Sequence, residues 1–192
     1  MNPKIKVALI YGSTREGRFC DKVAGWTAKQ ISQRTEFSLD LIDPAAMDLP
    51  TRHVREHHPG LAELKLRMEE ADAFLIVTPE YNHGYPAALK FLIDSVGEPW
   101  HAKPVAFVSY GGMSGGLRAI EQLRLVFAEM HAVTIRDAVC FVNAWEQFNA
   151  SGDLVQPERA RRSTETMLAR LKWWAIALRE ARNLLPYAEA TV

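Results

Sequence analysis

Three stretches of this 192-residue chain concentrate side chains able to do chemistry. In Gly12-Ser13-Thr14-Arg15-Glu16-Gly17-Arg18, two hydroxyls and two guanidinium groups stand just ahead of a segment with helical spacing. A helix N-terminus offers free N–H donors and partial positive charge, and arginine adds fork-shaped donors, so the set suits a phosphate. The plainer alternative is an ordinary helix cap with two solvated arginines. Gly12 and Gly17 have P-loop spacing, but Arg18 and Phe19 then stand where that motif has Lys and a metal-binding Ser or Thr. This argues against a nucleoside-triphosphate hydrolase or kinase.

The second stretch is Thr78-Pro79-Glu80-Tyr81-Asn82-His83-Gly84-Tyr85-Pro86. Two prolines stiffen it, and its tyrosines offer flat apolar surface beside exposed backbone donors, which suits a planar aromatic ligand. Glu80 and His83 as acid–base catalysts, or Tyr81 and Tyr85 as packing residues, are the alternatives. The third stretch, Ser109-Tyr110-Gly111-Gly112-Met113-Ser114-Gly115-Gly116, has four glycines in six positions, which allows close backbone approach. Gly112 to Gly116 also reads G-x-S-x-G, the nucleophile elbow of hydrolases. That fold needs an acid and then a histidine downstream, whereas here His131 precedes Asp137. The order fails, and a serine hydrolase is disfavoured. His53, His57 and His58 include an i, i+4 pair, but Arg52, Arg55 and Pro59 crowd it and no ligand set completes it, so a solvated loop is expected.

The elements that must position these loops follow from hydrophobic pattern. Val7–Tyr11, Ala73–Val77 and Val105–Val108 are continuous apolar runs, as in parallel strands covered on both faces. Phe37–Ile42 and Val139–Val142 are the further strand candidates. Between them run helical spacings, Leu61-Leu64-Met68-Ala71 and Leu117-Ile120-Leu123-Phe127. The pattern predicts an α/β fold, a five-stranded parallel sheet doubly wound with helices on both faces. A final helix from Glu158 to about Asn183 carries the stripe Met167, Leu171, Trp174, Leu178 and Leu185. Trp173 and Ile176 widen it, as a generous core helix or a subunit contact would. Ligands of such sheets bind beyond the carboxyl ends of the strands, where all three unusual loops fall.

Composition bounds the rest. With 48% apolar residues and 23 basic against 23 acidic side chains, the chain is ordinary globular material, and one domain over residues 1–192 is expected. Zero net charge disfavours a nucleic-acid grip but not a single small anion. Cys20 and Cys140 form no ligand or disulfide framework, and no signal-peptide core or membrane-length apolar run is read, so a cytoplasmic protein is expected.

The sequence resembles the NADPH-dependent FMN reductase family. The resemblance rests on Gly12-Ser13-Thr14-Arg15 with Arg18, on Pro79-Glu80-Tyr81-Asn82-His83-Gly84-Tyr85-Pro86-Ala87-Ala88-Leu89-Lys90, and on Ser109-Tyr110-Gly111-Gly112 with Gly115-Gly116. The closing Trp173-Trp174-Ala175 and Ala177-Leu178 to Ala181-Arg182 add to it. It implies a flavodoxin-like fold with strand order 2-1-3-4-5 and non-covalent FMN. The FMN phosphate would meet Ser13, Arg15, Arg18 and the backbone of Thr14 and Phe19. Pro79, Glu80, Tyr81 and Asn82 would border the isoalloxazine, largely through main chain, with Ser109, Gly111 and Gly112 approaching from the next strand. Position 18 is often Ser or Thr in the family, so Arg18 either binds phosphate or points to solvent; Cys20-Asp21 also departs from the usual small polar residues. No side chain need act as a nucleophile, and no metal is implied. Hydride would pass from NADPH or NADH to the flavin, then electrons to a flavin, quinone, azo compound or metal ion. The family is commonly dimeric or tetrameric. The alternative is an FMN-binding electron carrier or redox-sensing regulator without turnover, a carrier being weakened by the balanced charge.

Overall fold

The computed structural model describes residues 4–54 and 56–190. Five strands, β1 (Ile5–Tyr11), β2 (Phe37–Ile42), β3 (Ala73–Pro79), β4 (Pro104–Gly111) and β5 (Val133–Val142), form one sheet in the order β2-β1-β3-β4-β5. Every neighbouring pair is parallel. The helices are α1 (Cys20–Ser32), α2 (Pro59–Glu69), α3 (Ala87–Ser95), α4 (Leu117–Glu129), the single turn α5 (Ala144–Gln147) and α6 (Glu158–Leu184).

Strand parity divides the core in two. Val7, Leu9, Leu75, Val77, Ala106 and Val108 face α1 and α6, meeting Val23, Trp26, Met167 and Leu171. Ala8, Ile10, Phe74, Ile76, Val105 and Phe107 face α2, α3 and α4, meeting Leu64, Leu92, Ile120 and Phe127. β1, β3 and β4 are therefore covered on both sides, which is why they read as unbroken apolar runs. Edge strand β2 has only its ends buried and on opposite faces, Phe37 in the α1–α6 core and Ile42 in the other, while Leu41 is exposed.

Four strands run past the apolar stretches that mark them in the sequence, β1 by starting two residues early at Ile5. β3 continues through Thr78 and Pro79 and β4 through Ser109 to Gly111, because the pairs Thr78–Ser109 and Pro79–Tyr110 extend the ladder into polar residues. β5 begins at Val133, six residues before Val139, and a register shift between Val105 and Phe107 of β4 accompanies that early pairing. The α6 stripe is corrected as well. Its buried residues are Thr164, Met167, Leu168, Leu171 and Ala175, whereas Leu185 lies past the helix end and is half exposed.

One charge is buried outside the loops. Lys103, just before β4, is 6% exposed and donates from Nζ to the carbonyls of Met68 (2.8 Å) and Glu69 (2.9 Å), closing the end of α2. Burial, and then the nearby Arg182, push its ammonium down to about 8.

Candidate functional site

The loops after β1, β3 and β4 converge at the carboxyl edge of the sheet, as strand order and parallel pairing require. The first leaves β1 through Gly12, whose N–H donates to the Val77 carbonyl (2.7 Å). A Cβ on Gly12 would stand 2.7 Å from that same oxygen, so no other residue fits without moving β3. The turn closes when Arg18 N–H reaches the Arg15 carbonyl (3.2 Å), with Gly17 at φ 63°. No side chain caps α1, and the amides of Thr14, Glu16, Gly17 and Phe19 have no acceptor among the described residues. Those donors are what an anion would need.

The two arginines of this loop part company. Arg18 does not point to solvent: its side chain is 9% exposed and forks onto the Asp43 carboxylate, with Asp21 (2.8 Å) and the Ser13 carbonyl as further acceptors. These partners hold its guanidinium firmly charged, since the Asp43 hydrogen bond outweighs desolvation. In Asp43 burial pushes the carboxyl up, but Arg18 and the Ala45 amide together bring it net below its ordinary value. Arg15 has no carboxylate partner among the described residues and lies over the Tyr81 ring, 4.1 Å from its centroid. Ser13 is buried, its hydroxyl 2.9 Å from the Tyr81 hydroxyl.

In the second loop Tyr81 and Gly84 exchange backbone hydrogen bonds (2.9 and 3.0 Å), with Asn82 (φ 50°) and His83 (φ 69°) both left-handed between them. That is a two-residue reversal of the I′ kind, and it leaves the Asn82 and His83 amides unpaired among the described residues. Glu80 spans to the third loop. Its side chain is 7% exposed and accepts from Ser114 Oγ (2.7 Å), the Arg118 amide (3.2 Å) and Arg118 Nη1 (2.8 Å). Ser114 is thus a hydrogen-bond donor to a carboxylate, not the hydroxyl of an elbow. His53 and His57 lie in a loop before α2, with His53 stacked on Phe91 at 4.5 Å.

The third loop needs its last two glycines for packing. Gly116 has φ 86°, and its Cβ would fall 2.7 Å from Ser109 Cβ; Gly115 has φ 60° and abuts Val142. The Ser109 hydroxyl donates to the Gly115 carbonyl (2.7 Å), so it braces the loop from within. At Gly111 and Gly112 a Cβ would meet nothing closer than 3.4 Å, and both open onto the pocket.

These loops wall a cleft of about 290 Å³. The first contributes Arg15, Arg18 and Phe19, the second Pro79, Glu80 and Tyr81, and the third Gly111 and Gly112. Ser13, Thr14, Asn82 and Ser109 stand behind or beside these walls. Four wall residues were not assigned to the site from the sequence: Gly17 and Tyr110, which stand within the first and third stretches, and then Ala144 and Trp145. The last two follow β5, whose carboxyl end reaches the same edge; that topological fact was the signal available for them. Trp145 is 59% exposed, and its ring would lie 3.6 Å from a Cβ on Gly112. A larger, mostly apolar cavity of about 390 Å³ sits at the opposite edge, between Val133, α6 and the C-terminal segment. It touches none of the three loops.

Comparison with known proteins gives a consistent picture. The family model for NADPH-dependent FMN reductase matches residues 5–146. An NAD(P)H-dependent FMN reductase of Schizosaccharomyces pombe is 35% identical over 123 residues, 58% of this chain and 60% of that protein. The NAD(P)H:quinone oxidoreductase of Solanum tuberosum is 32% identical over 180 residues, 87% of this chain and 91% of that one. Among solved structures, the flavoenzyme FerB, an NAD(P)H:(acceptor) oxidoreductase from Paracoccus denitrificans, superposes with a TM-score of 0.72 at 24% identity, covering 88% of this chain and 97% of its own.

Proposed function

This chain belongs to the NADPH-dependent FMN reductase family, and we propose that its carboxyl-edge cleft holds FMN and passes electrons from NAD(P)H to a quinone or free flavin. The observation that carries this reading is a set of uncommitted donors in the loops that wall one cleft, Arg15, Gly17 and Phe19 among them lining it. The amides of Thr14, Glu16, Gly17 and Phe19, the unpaired Arg15, and the Asn82 and His83 amides have no acceptors among the described residues. Donor sets of this kind, without acceptors of their own, fit a phosphate at one end and a carbonyl-rich planar ring at the other.

When bound, FMN supplies the hydride and electron transfer itself. The protein's share is holding and shaping. Arg15 and the α1 N-terminus take the phosphate, with Ser13 and Thr14 beside them. Arg18, occupied by Asp43 and Asp21, acts on the phosphate through the loop it stiffens. Pro79 to Asn82 border the ring through main chain, and Gly111 and Gly112 let the backbone of the third loop come close. Glu80 fixes the distance between those two loops through Ser114 and Arg118. Trp145 bounds the open side, where the nicotinamide and then the acceptor approach.

The reading takes residues 1–192 as one such domain, assembled as a homodimer or homotetramer through the outward face of α6. Cys20 and Cys140 are free thiols, which supports a reducing, cytoplasmic setting. No helix among the described residues is long and apolar enough to cross a membrane. The deciding experiment is the visible spectrum of the purified protein before and after anaerobic addition of NADPH. Flavin bands that bleach, with FMN released on denaturation, are expected. A flavin spectrum that NADPH leaves unchanged would favour an electron carrier or sensor, and no flavin uptake at all would overturn the cleft assignment.

A further inference from the structure

Trp145 walls the cleft, yet no contact within the protein accounts for its place there. It stands on the single turn α5, and that turn is fixed on both sides of it. Ala144 is buried, and the Phe148 ring packs edge-on against Phe19, Trp26 and Phe141. Asn143, left-handed at φ 46°, donates its N–H to the Gly112 carbonyl (3.1 Å), and the Gln147 side chain reaches the Val142 carbonyl. The end of β5 is thereby tied to the third loop, and Trp145 is presented at a set position. The indole itself is 59% exposed and pairs with no other ring among the described residues, whereas Trp26, Trp100, Trp173 and Trp174 each meet one. So large an apolar face held in water stabilises nothing until something covers it. The surroundings say what kind of molecule that is. The tip of the indole would lie 3.6 Å from a Cβ on Gly112, so the ring stands beside bare glycine backbone. The charged side chains of the cleft wall are Arg15, Arg18 and Glu80, and the last two are paired within the protein. A compact inorganic ion gains nothing from an indole and two glycines, whereas a flat ring gains buried area and an offset-stacked contact.

We propose that Trp145 is a specificity-determining residue for the electron acceptor, a fixed platform that selects flat acceptors of two or more fused rings over compact ones. The inference rests on the FMN reading above and names the acceptor class within it. Trp145 moves no electron and no proton. Reduction of a quinone to its hydroquinone draws a hydride equivalent from NAD(P)H and the second proton from water.

The test uses the flavin-loaded protein with NADPH as donor and either naphthoquinone or ferricyanide as acceptor, in wild type, Trp145→Ala and Trp145→Phe. Both acceptors reoxidise the same reduced flavin, so the ratio of their kcat/KM values is free of any effect on NADPH. Trp145→Ala is expected to lower the ratio of naphthoquinone to ferricyanide kcat/KM by about 3- to 12-fold, the scale of one aromatic pair, chiefly through the KM for naphthoquinone. Trp145→Phe should hold the ratio within about twofold of wild type, because it restores a ring at the same place. An unchanged ratio in Trp145→Ala, with wild type reducing both acceptors, would overturn the role of Trp145 and leave the FMN reading intact. An equal fall for both acceptors, or a fall in the ratio that phenylalanine does not restore, would make the indole a structural part of the wall and would overturn the proposal. Wild type that takes up no FMN, or whose flavin NADPH does not reduce, would overturn both.

Discussion

Arg15 and Arg18 stand three residues apart in one loop and meet opposite fates, which makes them separable by experiment. Arg15 is balanced only by the face of Tyr81, so its guanidinium is free to meet an anion. Arg15→Ala should therefore weaken FMN binding by roughly 1.5–3 kcal/mol while leaving the flavin-free protein almost as stable as before. Arg18→Ala strands the Asp43 and Asp21 carboxylates and frees the Ser13 carbonyl. Its first effect should be on folding, about 1–3 kcal/mol in urea unfolding of the flavin-free protein. If the two variants lost stability alike, the division of labour would be wrong. Ser114 offers a second residue-scale test. Its hydroxyl is committed to Glu80, so an organophosphonate fluoride should leave it unlabelled. Ser114→Ala should destabilise the protein by about 1.5–3 kcal/mol, as loss of a hydrogen bond to a buried carboxylate does.

Elements were the legible part of the sequence, and the reasons are physical. β1, β3 and β4 could be read because burial on both faces leaves no room for polar residues, and β2 from its spaced apolar residues, although its buried ends, Phe37 and Ile42, turn to opposite faces. What escaped was the polar continuation of β4 and the start of β5, where pairing rather than side-chain hydropathy keeps the chain extended. The site followed the same rule. Gly12, Gly115 and Gly116 were visible because close backbone approach selects a residue type. Ala144 and Trp145 were hidden because their place at the site comes from where β5 ends and not from a motif of their own. Lys103 was hidden too, since a buried ammonium has no sequence signature apart from its partners, here two carbonyls at the end of α2. Its consequence is a pH dependence of definite sign. The folded state holds this amine near 8, whereas an unfolded lysine titrates at 10.5, so between those values the unfolded chain carries the extra proton. Stability contributed by the site should then rise with pH across that window. Cys20, pushed up to about 11 by burial, works in the opposite direction, so the wild-type curve alone would mix the two. Chemical denaturation of wild type against Lys103→Met isolates the lysine: the difference should grow in favour of wild type by up to about 3 kcal/mol from pH 8 to 10.5. A flat difference would mean that the ammonium is not desolvated.

At the scale of the whole molecule, α6 is longer than the sheet it covers. Its 27 residues span about 40 Å, whereas β5 and β4, the strands it chiefly packs on, reach about 33 and 26 Å at 10 and 8 residues. The helix buries Met167, Leu168, Leu171 and Ala175 against the strands and then runs past them. That geometry explains why the sequence shows more apolar residues on α6 than one sheet face can take. Trp173 is 62% exposed and Leu184 90% exposed, with Trp173 set edge-on against the half-buried Trp174 at 5.1 Å. Two large apolar side chains left in water on one helix are what a subunit contact would cover. On this argument the protein at micromolar concentration should sediment as a dimer or tetramer. Trp173→Glu, which places a charge at that contact without touching the core, should shift it toward monomer and leave the melting temperature of the monomer unchanged. A wild-type monomer at the same concentration would mean that the exposed face of α6 serves something other than self-association. An unchanged assembly in the variant would move the contact away from α6, to another exposed apolar group such as Trp145 at the cleft with Met113 and Leu117 of the third loop and the start of α4.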